Sequence, residues 1–362
     1  MLTRLKKLAT TIFGREIPPA ISPNTFIVWE PCTHSHAEVV PGYVQYLLDL
    51  GFDVSVFATP ERFDEGLFSR FKNNRISLNK LRQRSIRRFF RKNGLLQARG
   101  ILITTARKIS GKDSYQTELE LFSGKTAGQK ILLVEHDIKA TFDNGSLTPQ
   151  IITLRKAHYK NAITTVINPH YFGNINTTKS KAEIVNFITI GAMRGKRRNT
   201  RLLIEAATAL HDKGITHFKI TVIGRGGLRT VPAHIRKYFD IKGRVDFASL
   251  YAELENADFF LTLLDPDNPQ HDRYITTGTS GSFQLIYGFV KPCLIAQKFA
   301  AINGFNNSNS IVYATNDDLP QAMSKAIAMN PDSYTAMQQA LKDQADALYA
   351  ESLENLRKLI HE

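Results

Sequence analysis

Apolar positions along the chain fall into two successive alternations of short β-branched runs and helically spaced segments. Residues 24–30, NTFIVWE, predict a strand that Pro31 stops. Residues 37–51, AEVVPGYVQYLLDLG, follow as a helix closed by Gly51, and FDVSVFA (52–58) as a second strand. A strand–helix–strand unit of this kind predicts a parallel sheet. KILLVEH (130–136) reads as a further strand, ITLRKAHYKNA (152–162) as a helix and ITTVINP (163–169) as a strand. GNINTTKSKAE (173–183) is polar and aperiodic, the expected linker. The alternation then resumes. The strands are IVNFITIG, FKITVIG, DFFLTLLD, KPCLIA and NSIVYA; the helices are NTRLLIEAATALHDKG, SLYAELENA, GSFQLIYGF and DLPQAMSKAIAM, with a long amphipathic tail after residue 332. The expected architecture is α/β: two facing Rossmann-like domains with a central cleft. The expected divisions are a basic amphipathic lead-in (1–20), an N-terminal α/β domain (21–172), a linker (173–184), a C-terminal α/β domain (185–345) and a terminal helix (346–362) that packs back on the first domain.

The 362 residues suit two domains rather than one core. No apolar run approaches the roughly 18 residues of a spanning helix, and the charged start lacks the form of a secretory signal. Two distant cysteines, Cys32 and Cys293, make neither a disulfide framework nor a zinc site, which favours a cytoplasmic setting.

Charge changes the picture more. The net charge is +14; residues 1–172 hold 25 Lys/Arg against 14 Asp/Glu, and the remainder 22 against 19. From Gly66 to Lys112 no acidic residue occurs among many cations. A stretch this one-sided repels itself unless it meets an anionic surface. The stretch LRQRSIRRFFRKNGLLQA also carries Leu81, Ile86, Phe89, Phe90, Leu95 and Leu96, a mixture suited to a headgroup boundary. With the lead-in it predicts peripheral association with the inner face of an anionic membrane; nucleic acid is the less favoured partner.

The candidate chemistry begins at IGAMRGKRRNT. Arg194, Lys196, Arg197 and Arg198 crowd the mouth of a helix whose N-terminus is already partly positive, an arrangement that calls for an anion. GRGG (224–227), with Gly224 and Gly226, ends the next strand and suits a wall of the same site. Thr276, Thr277, Thr279, Ser280 and Ser282, with Gly278 and Gly281, crowd another helix start, far beyond what one N-cap needs.

ITIGAMRGKRRNTRLLIEAATAL followed by FKITVIGRGG resembles the donor-binding domain of GT-B glycosyltransferases, especially family 4, over residues 185–330, and more loosely over 25–170. The resemblance implies a nucleotide-sugar-dependent, hexosyltransferase-type enzyme with no cofactor and no metal. Its donor is expected to be UDP- or GDP-linked. Its acceptor is expected to be a glycan or lipid-linked glycan of cell-surface polysaccharide or lipopolysaccharide assembly. The implied donor contacts are Gly191, Arg194, Lys196, Arg198, Gly224, Gly226, Asp246, Phe247, Thr277, Thr279, Ser280, Gly281 and Ser282. The sequence lacks the family's two glutamates eight positions apart; Asp265, Asp267 and Asp272 are the nearby carboxylates. Two alternatives stand beside this reading, a DNA-modifying glucosyltransferase and a non-catalytic scaffold of the same fold.

In the N-terminal half, His34, His36 and Glu38 follow the first strand, and His136 ends a later one. Imidazole titrates near neutrality, which suits deprotonation of an acceptor hydroxyl. These four are the candidate catalytic residues. The spacing of His34, His36 and Glu38 also admits a metal, but no third histidine is near. Asn168, Pro169 and His170 mark the crossing between domains.

Overall fold

The structure is a computed structural model that describes residues 21–32, 36–105, 121–122, 128–145, 147–148, 150–177, 179–193, 197–226, 228 and 230–361. The lead-in 1–20, His34, Arg194 and Lys196 lie outside the described residues.

Among the described residues, strands form two wholly parallel sheets. The first is built from β1 (Thr25–Trp29), β2 (Asp53–Ala58), β3 (Ile76–Lys80), β4 (Gly100–Ile103), β5 (Lys130–Glu135), β6 (Ile151–Thr153) and β7 (Thr165–Val166), in the spatial order β3-β2-β1-β4-β5-β6-β7. The second contains β8 (Val185–Ile190), β9 (Phe218–Ile223), β10 (Phe239–Gly243), β11 (Phe259–Leu261), β12 (Cys293–Ala296) and β13 (Ile311–Tyr313), ordered β10-β9-β8-β11-β12-β13. These are the two Rossmann-like domains. Every residue of β1 is buried, as expected of a central strand covered on both faces. In each sheet the order reverses beside the first strand of the domain, between β1 and β4 and between β8 and β11. Crevices open at such switch points, past the carboxyl ends of the strands.

The helices that position the site are α1 (Val40–Asp49), α2 (Gln83–Asn93), α3 (Thr200–Asp212), α4 (Phe247–Asn256), α5 (Gly281–Phe289), α6 (Leu319–Ala328) and α7 (Pro331–His361). The last spans both domains. Tyr334, Met337, Leu341 and Ala345 belong to the second core, whereas Leu356 and Ile360 belong to the first. Burying Leu356 and Ile360 contributes about 1.5–3 kcal/mol each toward holding the two sheets together. The crossing segment is clamped as well: a Cβ on Gly42 of α1 would come within 2.5 Å of the Pro169 backbone, and one on Gly288 of α5 within 2.3 Å of the His170 carbonyl.

Three expectations are corrected. Residues 152–162 are not a helix: Ile151–Thr153 pairs in parallel with β5, and residues 154–162 are loop and turn. Two adjacent β-branched isoleucines beside an open sheet edge outweighed a short helical spacing. Secondly, most apolar side chains of the basic stretch face the domain core, not a headgroup boundary. The stretch supplies the edge strand β3, the helix α2 and the interior strand β4, where a Cβ on Gly100 would lie 2.6 Å from the Lys130 carbonyl oxygen. Ile86, Phe89, Phe90 and Leu95 are buried in a core cluster with Trp29 and Phe57, so they are not available to lipid; Leu96 is 42% exposed. The cations Arg84, Arg88, Arg91 and Lys92 do face outward. Thirdly, α4 begins at Phe247, two residues before Ser249, because Asp246 caps it, accepting from Ser249 N at 2.7 Å.

Candidate functional site

The C-terminal wall of the cleft starts where β8 and β9 end. Gly191 (φ 140°) and Gly224 (φ 145°) adopt backbone angles open to glycine. A Cβ on Gly224 would fall 1.6 Å from the Gly191 oxygen, so the two strand ends lie backbone against backbone. Gly191 N donates to Ile223 O at 2.9 Å and Gly224 N to Gly243 O at 2.7 Å. The result is a floor bare of side chains, on which a ligand can approach the main chain.

Over this floor lies Arg198. Its residue is only 8% exposed, and a Cβ on Gly191 would touch its guanidinium at 3.3 Å. Nη2 donates to Ser282 Oγ at 2.8 Å, to Ser280 Oγ at 3.3 Å and to the Ile190 carbonyl at 3.3 Å; Nη1 donates to the Arg197 carbonyl at 2.9 Å. Nε finds no partner, and among the described residues no carboxylate pairs with this cation. Burial pulls the Arg198 guanidinium below its ordinary value; the neighbouring Tyr274 hydroxyl opposes this, and Arg197 acts with the burial. A buried charge without an opposite charge is costly.

Two helix N-termini add to the same field. Asn199 caps α3 by accepting from Leu202 N at 3.0 Å, and its amide is held by Asp265 at 3.0 Å. Ser280 caps α5, accepting from Ser282 N. Exposed Arg197 and Arg225 line the cleft close by, and Arg244 also lines it while paired with Glu65 of the other domain.

The N-terminal wall has another character. His36 sits with φ 69°, a left-handed angle that a non-glycine residue adopts under strain. Its ring packs on that of His136, centroids 4.2 Å apart. Burial lowers both imidazoles to about 4; the charges of Arg197 and Arg273 add to this for His36, and His36 itself does so for His136. Both rings are therefore neutral at pH 7. Glu38 reaches across to the second domain, where a Cβ on Gly281 would lie 2.8 Å from its Oε1. Burial raises the Glu38 carboxyl above its ordinary value.

A seam closes one end of the cleft. Ile138 N donates to Thr277 O and His158 N to Thr276 O, both at 2.9 Å; Arg155 Nε donates to Gly278 O at 2.9 Å; Arg273 pairs with Asp137 at 3.0 Å.

These walls enclose about 500 Å³. The cleft brings together His36, Glu38, His136, Gly191, Arg198, Gly224, Phe247, Thr279, Ser280, Gly281 and Ser282. It does not include three expected residues. Asp246 is committed to capping α4, Thr277 is buried in the seam with its carbonyl, and Gly226 stands outside the lining. Sequence reasoning left Arg244, Arg273 and Tyr274 unassigned, although Arg244 lies in the GRVDF segment and the other two directly precede the hydroxyl-rich run. Among the described residues, no group of three or more His, Cys, Asp or Glu is placed to hold a metal ion, and no helix is long and apolar enough to cross a membrane.

No protein-family model matches the chain, and no curated protein matches its sequence. Its shape does have counterparts. It is similar to a glycosyltransferase from Rickettsia africae ESF-5 (TM-score 0.56, 11% identity, covering 92% of this chain and 96% of that one). It is also similar to trehalose-6-phosphate synthase OtsA (0.53, 12%, 93% and 99%) and to AviGT4, a glycosyltransferase involved in avilamycin A biosynthesis (0.51, 14%, 92% and 97%). At such identities the likeness is one of fold: the GT-B arrangement of two Rossmann-like domains.

Proposed function

We propose that the protein is a glycosyltransferase that moves a sugar from a UDP- or GDP-linked donor to a glycan or lipid-linked acceptor. The observation that carries this reading is Arg198: a buried cation with no carboxylate partner among the described residues, set between Ser280 and Ser282 over a glycine floor. A diphosphate would complete its pairing, and fixed donors there stabilise the charge that develops as the diphosphate leaves. Opposite it stand His36 and His136, whose imidazoles are unprotonated at neutral pH, the state in which one can serve as base toward an acceptor hydroxyl. The test is calorimetric titration with a panel of nucleoside diphosphates and nucleotide sugars, followed by assay for nucleoside diphosphate release. Failure to bind any member overturns the donor site; binding without turnover of any donor favours the non-catalytic scaffold.

The outward cations of α2, Arg84, Arg88, Arg91 and Lys92, favour an anionic membrane as the place of action, on the cytoplasmic face, where cell-surface polysaccharide or lipopolysaccharide precursors are assembled. α2 holds no acidic residue. Sedimentation with anionic and neutral vesicles, beside a duplex DNA shift assay at matched salt, checks this. DNA binding without vesicle binding would favour the DNA-modifying alternative.

A further inference from the structure

The buried carboxylate Glu30 lies just past the end of β1, fully inaccessible, and takes no part in the chemistry proposed above. It accepts three hydrogen bonds: from Thr104 Oγ1 at 2.7 Å, from Thr105 Oγ1 at 2.9 Å and from Cys32 N. Its own carbonyl accepts from Gln83 Nε2 at 2.7 Å, on α2. One side chain thus ties the segment after β1, which runs on to His36, to the segment after β4. The second segment matters because Thr104 has another contact: its carbonyl lies 3.0 Å from Nε2 of His136. A carbonyl only accepts, so Nε2 carries the proton. In a neutral ring, Nδ1 then holds the lone pair.

We infer that Glu30 is a positioning residue: by clamping Thr104, it holds His136 in the Nε2–H tautomer and in register with the ring of His36. The effect on catalysis rests on the glycosyl-transfer reading; the effect on the imidazole does not. The carboxyl is itself titratable in the useful range. Burial raises it to about 7, and the like charge of Glu38 adds to this, while the bonds from Thr104, Cys32 and Thr105 oppose it. His136 lies just beyond Thr104. Above that pH the carboxylate accepts all three donors. Below it, one oxygen gains a proton that must be donated, and the clamp loosens. The N-terminal wall should therefore order as pH rises through about 7, although both histidines titrate far lower.

The test uses the full chain. Long-range proton–nitrogen NMR of the imidazoles is recorded from pH 5.5 to 9, with His136 assigned by His136→Gln. The variants are Glu30→Gln and Thr104→Val, the second of which keeps the carbonyl but removes the hydroxyl. In the native protein the His136 ring should report the Nε2–H form and show a step with midpoint near 7. Glu30→Gln should abolish the step, and either variant should mix the tautomers. Each should lower kcat about tenfold while donor affinity, set in the other domain, stays within about twofold. Thermal unfolding checks folding; if Glu30→Gln does not fold, Thr104→Val carries the test. A folded variant with the native tautomer and the native midpoint overturns the inference. If no donor turns over yet the ring behaves as stated, the glycosyl-transfer reading falls and the clamp stands. If donors turn over and the ring is indifferent to both variants, the clamp falls and that reading stands.

Discussion

The two walls of the cleft handle charge in opposite ways. The C-terminal wall carries a permanent cation, Arg198, fixed among serine hydroxyls and helix N-termini, with no carboxylate partner among the described residues. The N-terminal wall carries groups that burial has driven toward neutrality: His36 and His136 down to about 4, Glu30 up to about 7. A permanent charge suits a ligand that is always anionic. Neutral titratable groups suit the passage of a proton. On the proposed function, the two domains would divide binding and proton transfer between them.

The largest effect that should separate the walls is acid sensitivity. His36, His136 and His170 are each lowered to about 4 in the fold, whereas the unfolded chain takes up the proton near 6.5. Each therefore contributes stability that is complete above 6.5 and is lost as pH falls toward 4. A displacement of that size is on the order of 3 kcal/mol per group. Glu30 runs the other way: its contribution is complete below 4.5 and lost as pH rises to about 7. Denaturant unfolding across pH 4 to 8 should show stability rising with pH up to about 6.5. Glu30→Gln should steepen that rise between pH 4.5 and 7. A flat profile would remove the contrast.

Next in size is Gly224→Ala. The added carbon meets the Gly191 oxygen at a φ closed to alanine, so the strand ends must part. We expect a loss of about 3 kcal/mol in stability and no measurable diphosphate binding. Retained binding in calorimetry would show that the floor is not where the ligand rests.

Arg198→Ala should weaken nucleoside diphosphate binding by about 2–3 kcal/mol, while Lys213→Ala, at the far end of α3, leaves it unchanged. Because the native cation is buried without an acid, the variant should be no less stable. Equal affinities for the two variants would contradict the division between walls.

The smallest effect concerns the seam. Asp137→Asn removes an ion pair with Arg273 in which the two side chains are 31% and 46% exposed. It should cost under about 1 kcal/mol in stability. Its mark should instead be a modest rise in donor KM, with kcat within about twofold. A collapse of kcat would place the seam within the catalytic machinery.

Much of this was readable along the chain. Alternation of strand and helix patterns announced two parallel sheets, and the burst of cations before Asn199 pointed to the loop that holds Arg198 in the cleft. Other features were hidden for physical reasons. β4 is four residues long and starts with glycine, and it follows a run of arginines, so its apolar signal is diluted. The helix expected at 152–162 failed because sheet pairing outranks a local spacing. The apolar residues of α2 looked suited to lipid because an amphipathic helix presents the same pattern to a core as to a headgroup layer.

Composition and spacing by themselves determined the fold class and which loops carry glycine, hydroxyl and positive charge, because these follow from local backbone preference and short-range periodicity. Tertiary structure alone decided that Glu38 comes to Gly281, that the His36 ring packs against that of His136, that Glu30 bonds Thr104, and that Arg198 has no carboxylate partner among the described residues. Each of these joins residues tens to hundreds of positions apart, or depends on burial. Burial sets whether a charge survives, and it exists only once both sheets and the helix spanning them have packed.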